Sequence, residues 1–318
     1  MKFSKTLAAL AMTAALGTGS AMAQVNVMLP ANPGGGWDGT GRQAFQALND
    51  AGIYTGGVNF TNTGGAGGTV GLAEFLGTST GQPDALAVFG AITVGAIALN
   101  NSPINLAEFR PVARLTAEYL VIAVAADSPY NTLADLVAGI KADPGAAALG
   151  GGSAGGVDHI SLALLAQAGD IPVADLNYIP QTSGAETVTA IVNGTLVAGV
   201  SGTSEFAQFA EQGRIKILGV TSAERRPNLP DVPTFHEAGY DVEIANWRGI
   251  LAAPGAPDDN YAMWVENFTK LSTSDAWKAV LAAQGWEDYF LAGDEFGAFI
   301  AEETERQGQI LKDAGLVN

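Results

Sequence analysis

Four glycine-rich runs concentrate the chemistry open to this chain: Pro33-Gly34-Gly35-Gly36-Trp37, Gly64-Gly65-Ala66-Gly67-Gly68, Gly150-Gly151-Gly152-Ser153-Ala154-Gly155-Gly156 and Thr182-Ser183-Gly184-Ala185. Each sits where an apolar strand pattern runs into a helical one. A glycine turn brings bare backbone close to a ligand, and the helix start behind it offers unpaired N–H groups. Each helix N-terminus carries about +0.5 of an elementary charge, so each turn is a candidate anion site. The expectation is two facing pairs of turns closing on one small anion. Asn246-Trp247-Arg248-Gly249 adds a permanent cation inside an apolar strand. The Arg248 fork matches a carboxylate bidentately; a strand-end arginine paired with one of many surplus acids is the competing reading.

Other patterns are weaker. Gly34, Gly36 and Gly39 fit G-x-G-x-x-G, as do Gly150, Gly152 and Gly155. A dinucleotide site wants a carboxylate at the end of the next strand, and Phe60-Thr61-Asn62-Thr63 supplies none. Gly151-Gly152-Ser153-Ala154-Gly155 fits G-x-S-x-G, so the alternative reading is a secreted serine hydrolase using Ser153, with His236 and Asp175 or Asp231. No His-Gly-Gly oxyanion loop accompanies it. Ser183 and Glu186 fit a capping box. Asp38 and Arg42, four apart at a helix start, read as an ordinary ion pair. His159 reads as a packed histidine, and Trp37 as either a lid over the ligand or a packed aromatic.

Composition narrows the class. The chain has 318 residues, 15 basic and 32 acidic, for a formal charge of −17. No basic patch suits nucleic acid, and an anionic membrane surface would repel it. A local site built from dipoles can still take an anion, because salt screens distant charge over about 10 Å. There is no cysteine, and His159 and His236 form no zinc motif. No cofactor, metal or chemistry on the ligand is called for. Lys2 and Lys5, the apolar run Leu7 to Leu16 and Ala21-Met22-Ala23 read as a signal peptide over 1–23, cleaved after Ala23. That implies an exported, periplasmic protein.

The elements that must position these turns alternate, as in an α/β sheet. Val25–Leu29, Val58–Thr61, Ala85–Phe89, Leu120–Ala125, Leu176–Ile179, Leu196–Val200, Ile215–Val220 and Ile244–Ala252 read as strands. Trp37–Ala51, Val70–Leu76, Ile92–Asn100 and Val157–Ala168 read as helices. Another starts at the capping-box-like Thr132-Leu133-Ala134-Asp135, and two or three amphipathic helices follow Asp258.

On these residues the chain resembles the periplasmic substrate-binding proteins of tripartite tricarboxylate transporters (the Bug family), in their tricarboxylate-binding branch. The matching stretches are Pro33–Arg42, Asn62–Gly68, Gly151–His159, Ile179–Glu186, Val232–Tyr240 and Asn246–Gly249. The resemblance implies a two-domain α/β fold of the type II periplasmic-binding-protein kind, with the ligand cleft between domain 1 (24–120 plus 246–318) and domain 2 (121–245). It implies a ligand carboxylate held by loop amides. In one wall these map onto Gly34, Gly35, Gly36, Trp37, Gly65, Ala66 and Gly67. In the other they map onto Gly152, Ser153, Gly155, Gly156, Ser183, Gly184 and Ala185. Four helix starts supply roughly +2, and Arg248 would raise this to about +3, which suits a citrate-like trianion. The partners implied are a small carboxylate and the permease subunits of the membrane transporter, with the binding protein itself a monomer.

Overall fold

The computed structural model describes residues 24–313 and 315–317; the expected signal peptide lies outside them. The order is β1 (Val25–Leu29), α1 (Gly36–Asp50), β2 (Val58–Asn62), α2 (Thr69–Ser79), β3 (Ala85–Gly90), α3 (Ala91–Leu99), β4 (Arg110–Ala125), α4 (Leu133–Ala142), β5 (Ala148–Gly151), α5 (Val157–Ala168), β6 (Asn177–Pro180), α6 (Gly184–Val192), β7 (Ala198–Gly202), α7 (Thr203–Glu211), β8 (Ile215–Val220), β9 (Ala245–Ala252), α8 (Asp258–Thr273), α9 (Asp275–Gln284), β10 (Glu287–Ala292) and α10 (Gly293–Asp313). This is the expected α/β alternation.

Burial explains the local choices. All six residues of β3 are buried, as befits a strand covered by helices on both faces. β2, at the sheet edge, alternates half-buried and exposed positions. The α1 helix lays Ala44, Phe45, Ala47 and Leu48 on the sheet, and Phe45 meets Trp264 and Phe268 of α8 edge-on. In α4 the expected capping box is present, with Thr132 and Asp135 each satisfying the other's backbone.

One strand links everything. The sequence places a strand from Leu120; the structure starts it ten residues earlier, at Arg110. Its first part pairs with β9 and β10, and β9 in turn pairs with β3, which leads to β1 and β2. From Leu120 onward it pairs with β7 and β8, and β7 leads to β5 and β6. The strands therefore form two sets sharing β4, with a lobe built on each. β1, β2 and β3 are mutually parallel, and so are β5, β6 and β7.

Candidate functional site

The register fixes where the turns point. β3 ends at Gly90, beside Arg248, which pairs with Thr116 of β4. β7 ends at Gly202, opposite Leu120. β3 runs with β4 and β7 runs against it, so the carboxyl ends of the two strand sets face each other. Only four residues of β4 separate them, about 13 Å of extended chain. This is the crevice at which open α/β sheets place their ligands. The four glycine turns follow the carboxyl ends of β1, β2, β5 and β6, which run parallel to β3 or β7, and Gly90-Ala91 and Gly202-Thr203 are two further strand-to-helix turns that sequence reasoning missed.

In the first lobe, the Gly34 N–H donates to Asp38 Oδ2 (2.9 Å) and the Gly35 N–H to the Asn32 carbonyl (3.0 Å). Asp38 also takes the Arg42 Nε–H and the Asn62 amide, so the expected ion pair is present. Burial opposes ionisation of Asp38, but these hydrogen bonds outweigh it and hold its pKa below the usual value. Gly36 is exposed, and a Cβ there would stand 3.1 Å from the Arg248 guanidinium. Gly65 and Ala66 are exposed at positive φ of 130° and 43°. The amides of Gly36, Trp37, Gly65 and Ala66 have no hydrogen-bond partner among the described residues.

In the second lobe, the Gly152 N–H donates to Asp158 Oδ2 (2.6 Å) and the Gly155 N–H to His159 Nδ1 (3.1 Å). The Gly156 N–H goes to the Ser153 carbonyl, and the Gly184 N–H reaches Glu205 (3.3 Å). Ser183 caps the Glu186 amide, while Glu186 accepts from Thr182, one residue before the position a capping box would use. The amides of Ser153, Ala154 and Ala185 have no partner among the described residues. His159 is packed as expected, its ring 4.0 Å from that of Tyr178, and burial holds its pKa down to about 4.

Arg248 lies at the seam. Its Nη2 donates to Glu118 Oε2 (2.9 Å), and both side chains are buried. The other Glu118 oxygen accepts the N–H (2.7 Å) and O–H (2.5 Å) of Ser204 at the start of α7. One carboxylate thus joins β9, β4 and α7. Sequence reasoning passed over Glu118.

A family profile described as the tripartite tricarboxylate transporter family receptor matches residues 42–316. The chain belongs to that family. It is 25% identical to BugT of Bordetella pertussis over 295 residues, covering 92% of this chain and 89% of that one. A Cupriavidus necator relative matches at 25% over 195 residues, which is 61% of this chain and 58% of that protein's length. Two solved structures share the fold: MatC of Rhodopseudomonas palustris with bound malate (TM-score 0.77, 22% identity, 91% of this chain and 98% of that chain) and a second R. palustris protein with adipate (0.78, 21%, 92% and 97%). The receptor is a solute-binding protein with the two-domain fold of periplasmic binding proteins, and it is not an enzyme. The hydrolase alternative falls with that assignment, and no hydrogen bond joins Ser153 to His236, Asp175 or Asp231 among the described residues.

Several receptor glycines are also demanded by packing. A Cβ at Gly67 would collide with that of Ala96 on α3, at a φ of 63°. One at Gly155 would stand 2.6 Å from Leu99, and one at Gly156 3.2 Å from Ile92, both on α3. Trp37 is buried, and its ring occupies the space beside Gly68. It is a packed aromatic, one of the two expectations for it. Carboxylates already stand at three of these turns, where Asp38, Asp158, Glu186 and Glu205 accept from the amides of Gly34, Gly152, Thr182 and Gly184.

Proposed function

We propose that the receptor captures a small organic acid, a di- or tricarboxylate of which citrate is the largest expected type, in the crevice between the lobes. The lobes are taken as 24–120 plus 246–318 and 121–245. One observation supports the reading: unpartnered amides at Gly36, Trp37, Gly65 and Ala66 belong to one strand set, those at Ser153, Ala154 and Ala185 to the other, and the carboxyl ends of the two sets face each other. Glycine-turn amides are hard donors with no titration of their own, and they suit carboxylate oxygens. The malate and adipate held by two structural neighbours agree with an acid of this size.

Micromolar capture requires about −8 kcal/mol, within reach of a few charge-assisted hydrogen bonds at about 1.5–3 kcal/mol each after ordering costs. Ligand contact with both lobes favours the closed arrangement, since only differential affinity shifts such an equilibrium. The loaded, closed form is then the one delivered to the permease subunits of the transporter. The protein works as an exported monomer, freed of its signal peptide after Ala23. Arg248, neutralised by Glu118, contributes shape and hydrogen-bonding fork more than net charge, which lowers the advantage of a trianion over a dianion.

Thermal-shift titration of the purified protein against citrate, isocitrate, tricarballylate, C4 diacids and aromatic acids tests the reading. Stabilisation by at least one di- or tricarboxylate that saturates with concentration is expected. Response to none of them would overturn it.

A further inference from the structure

Helix α3 follows the carboxyl end of β3, and the 152–156 turn follows that of β5. Contact between them therefore joins the two lobes. Ile92, Gly95 and Leu99 share one face of α3, at spacings of three and four residues. A Cβ at Gly156 would stand 3.2 Å from Ile92, and one at Gly155 2.6 Å from Leu99. Midway along the same stripe, a Cβ at Gly95 would collide with the Gly155 carbonyl oxygen. Only glycine at 95 lets the helix and the turn meet as they do. The turn carries the free amides of Ser153 and Ala154, so the depth at which it sits on α3 sets their position.

An independent observation marks this contact as one built to part. Gln307 of α10 is fully buried, and its Oε1, 3.1 Å from the same Gly95 position, has no hydrogen-bond partner. The carbonyl of the buried Gly155 has no donor among the described residues either. Two oxygens without donors beside one point are costly in permanent packing. Separation of α3 from the turn admits water to both.

We infer that α3 is the stop on which the second lobe lands when the crevice closes, and that Gly95 is a positioning residue setting the closed width. The inference rests on the reading that an acid is captured between the lobes. A methyl at Gly95 forces the Gly155 carbonyl to retreat by about 1 Å before a carbon–oxygen contact of ordinary length is reached. The Ser153 and Ala154 amides retreat with it. A short acid held by the first lobe then loses them, while an acid longer by a carbon–carbon bond, about 1.5 Å, still spans the gap. In the open form the methyl meets nothing of the second lobe, and alanine is the better helix former.

Melting curves and calorimetry of Gly95→Ala decide the matter, with succinate, glutarate, adipate and citrate as probes. The ligand-free variant should melt no lower than the wild type. The acid that the wild type binds best should weaken by about tenfold, the factor of one lost charge-assisted hydrogen bond. Among the diacids that bind, the loss should shrink from succinate to adipate. Gln307→Met keeps the space filled and removes the orphaned oxygen, so it should tighten every acid that binds by about threefold or more, in the same order of preference. A Gly95→Ala protein that melts well below the wild type, or does not fold, would show permanent packing and overturn the inference. Equal losses for all acids, no loss at all, or Gln307→Met binding no tighter than the wild type would overturn it too. In each of these cases binding by the wild type leaves acid capture standing. No response of the wild type to any acid, in the thermal-shift panel or here, would overturn both.

Discussion

Arg248 and Glu118 form a buried ion pair, 2.9 Å from Nη2 to Oε2, at the seam where the two strand sets meet. Glu118 belongs to the strand both sets share, and its second oxygen holds the start of α7 through Ser204. On the other side Arg248 Nη1 reaches the Thr40 hydroxyl of α1 (3.5 Å). The pair therefore ties a helix start of each lobe to the shared strand.

Breaking this pair from either side should destabilise the fold strongly. Glu118→Ala leaves a buried guanidinium uncompensated, a loss of about 3–5 kcal/mol. The double variant Glu118→Leu, Arg248→Met should cost less than the sum of the single changes. Urea unfolding of the four proteins checks this; additive losses would show that the two side chains are not coupled.

Gly67 and Gly36 should differ in what their substitution disturbs. Gly67 is held at positive φ against Ala96, so Gly67→Ala should lose about 2–4 kcal/mol of stability through left-handed strain and overpacking. Melting curves read this directly. An unchanged melting temperature would mean that the turn can move off α3.

Gly36 is exposed and outside the left-handed region, and its added side chain would approach Arg248 and the free amides of Gly36 and Trp37. Gly36→Val should weaken the acid ligand by tenfold or more, and its crowding of the Arg248 guanidinium should cost about 1–3 kcal/mol of stability without unfolding the protein. Undiminished binding in a calorimeter would remove α1 from the site.

Asp158 and His159 impose opposite pH dependences. The Asp158 pKa rises from 3.8 to about 7 on folding, so between those values the native state holds the extra proton. That term makes stability fall as pH rises through the window. The His159 pKa falls from 6.5 to about 4, so the unfolded state holds the extra proton and stability rises with pH between 4 and 6.5. Asp158→Asn should therefore give a melting temperature that climbs from pH 4 to 6.5, and His159→Gln one that declines from pH 4 to 7. Melts across that range check both slopes, and matching profiles for the two variants would contradict the assignment.

The glycine turns, their order and the strand–helix alternation were legible in the sequence because apolar strands ending in glycine have few other uses. The first half of β4 was not. Arg114, Thr116 and Glu118 look like a solvated face, and only the pairing with β9, β10 and α7 buries them. β10 and α7 escaped for similar reasons, being short and rich in acidic or polar residues. The acids that occupy the turn amides had left a signal. Asp38, Asp158 and Glu186 each stand in the first turn of the helix they serve, the position from which a carboxylate reaches back to the preceding loop. Glu205 and Glu118 had left none, because they serve helix starts distant in sequence.

Convergence of amides from both lobes on one carboxylate ligand is most directly tested by amide-resolved NMR titration. The labelled protein would be titrated with whichever acid of the thermal-shift panel stabilises it most. The amide protons of Gly36, Trp37, Gly65 and Ala66 should shift downfield together with those of Ser153, Ala154 and Ala185, all along one saturation curve. Shifts confined to one of the two groups, or lying away from both, would contradict a shared site between the lobes.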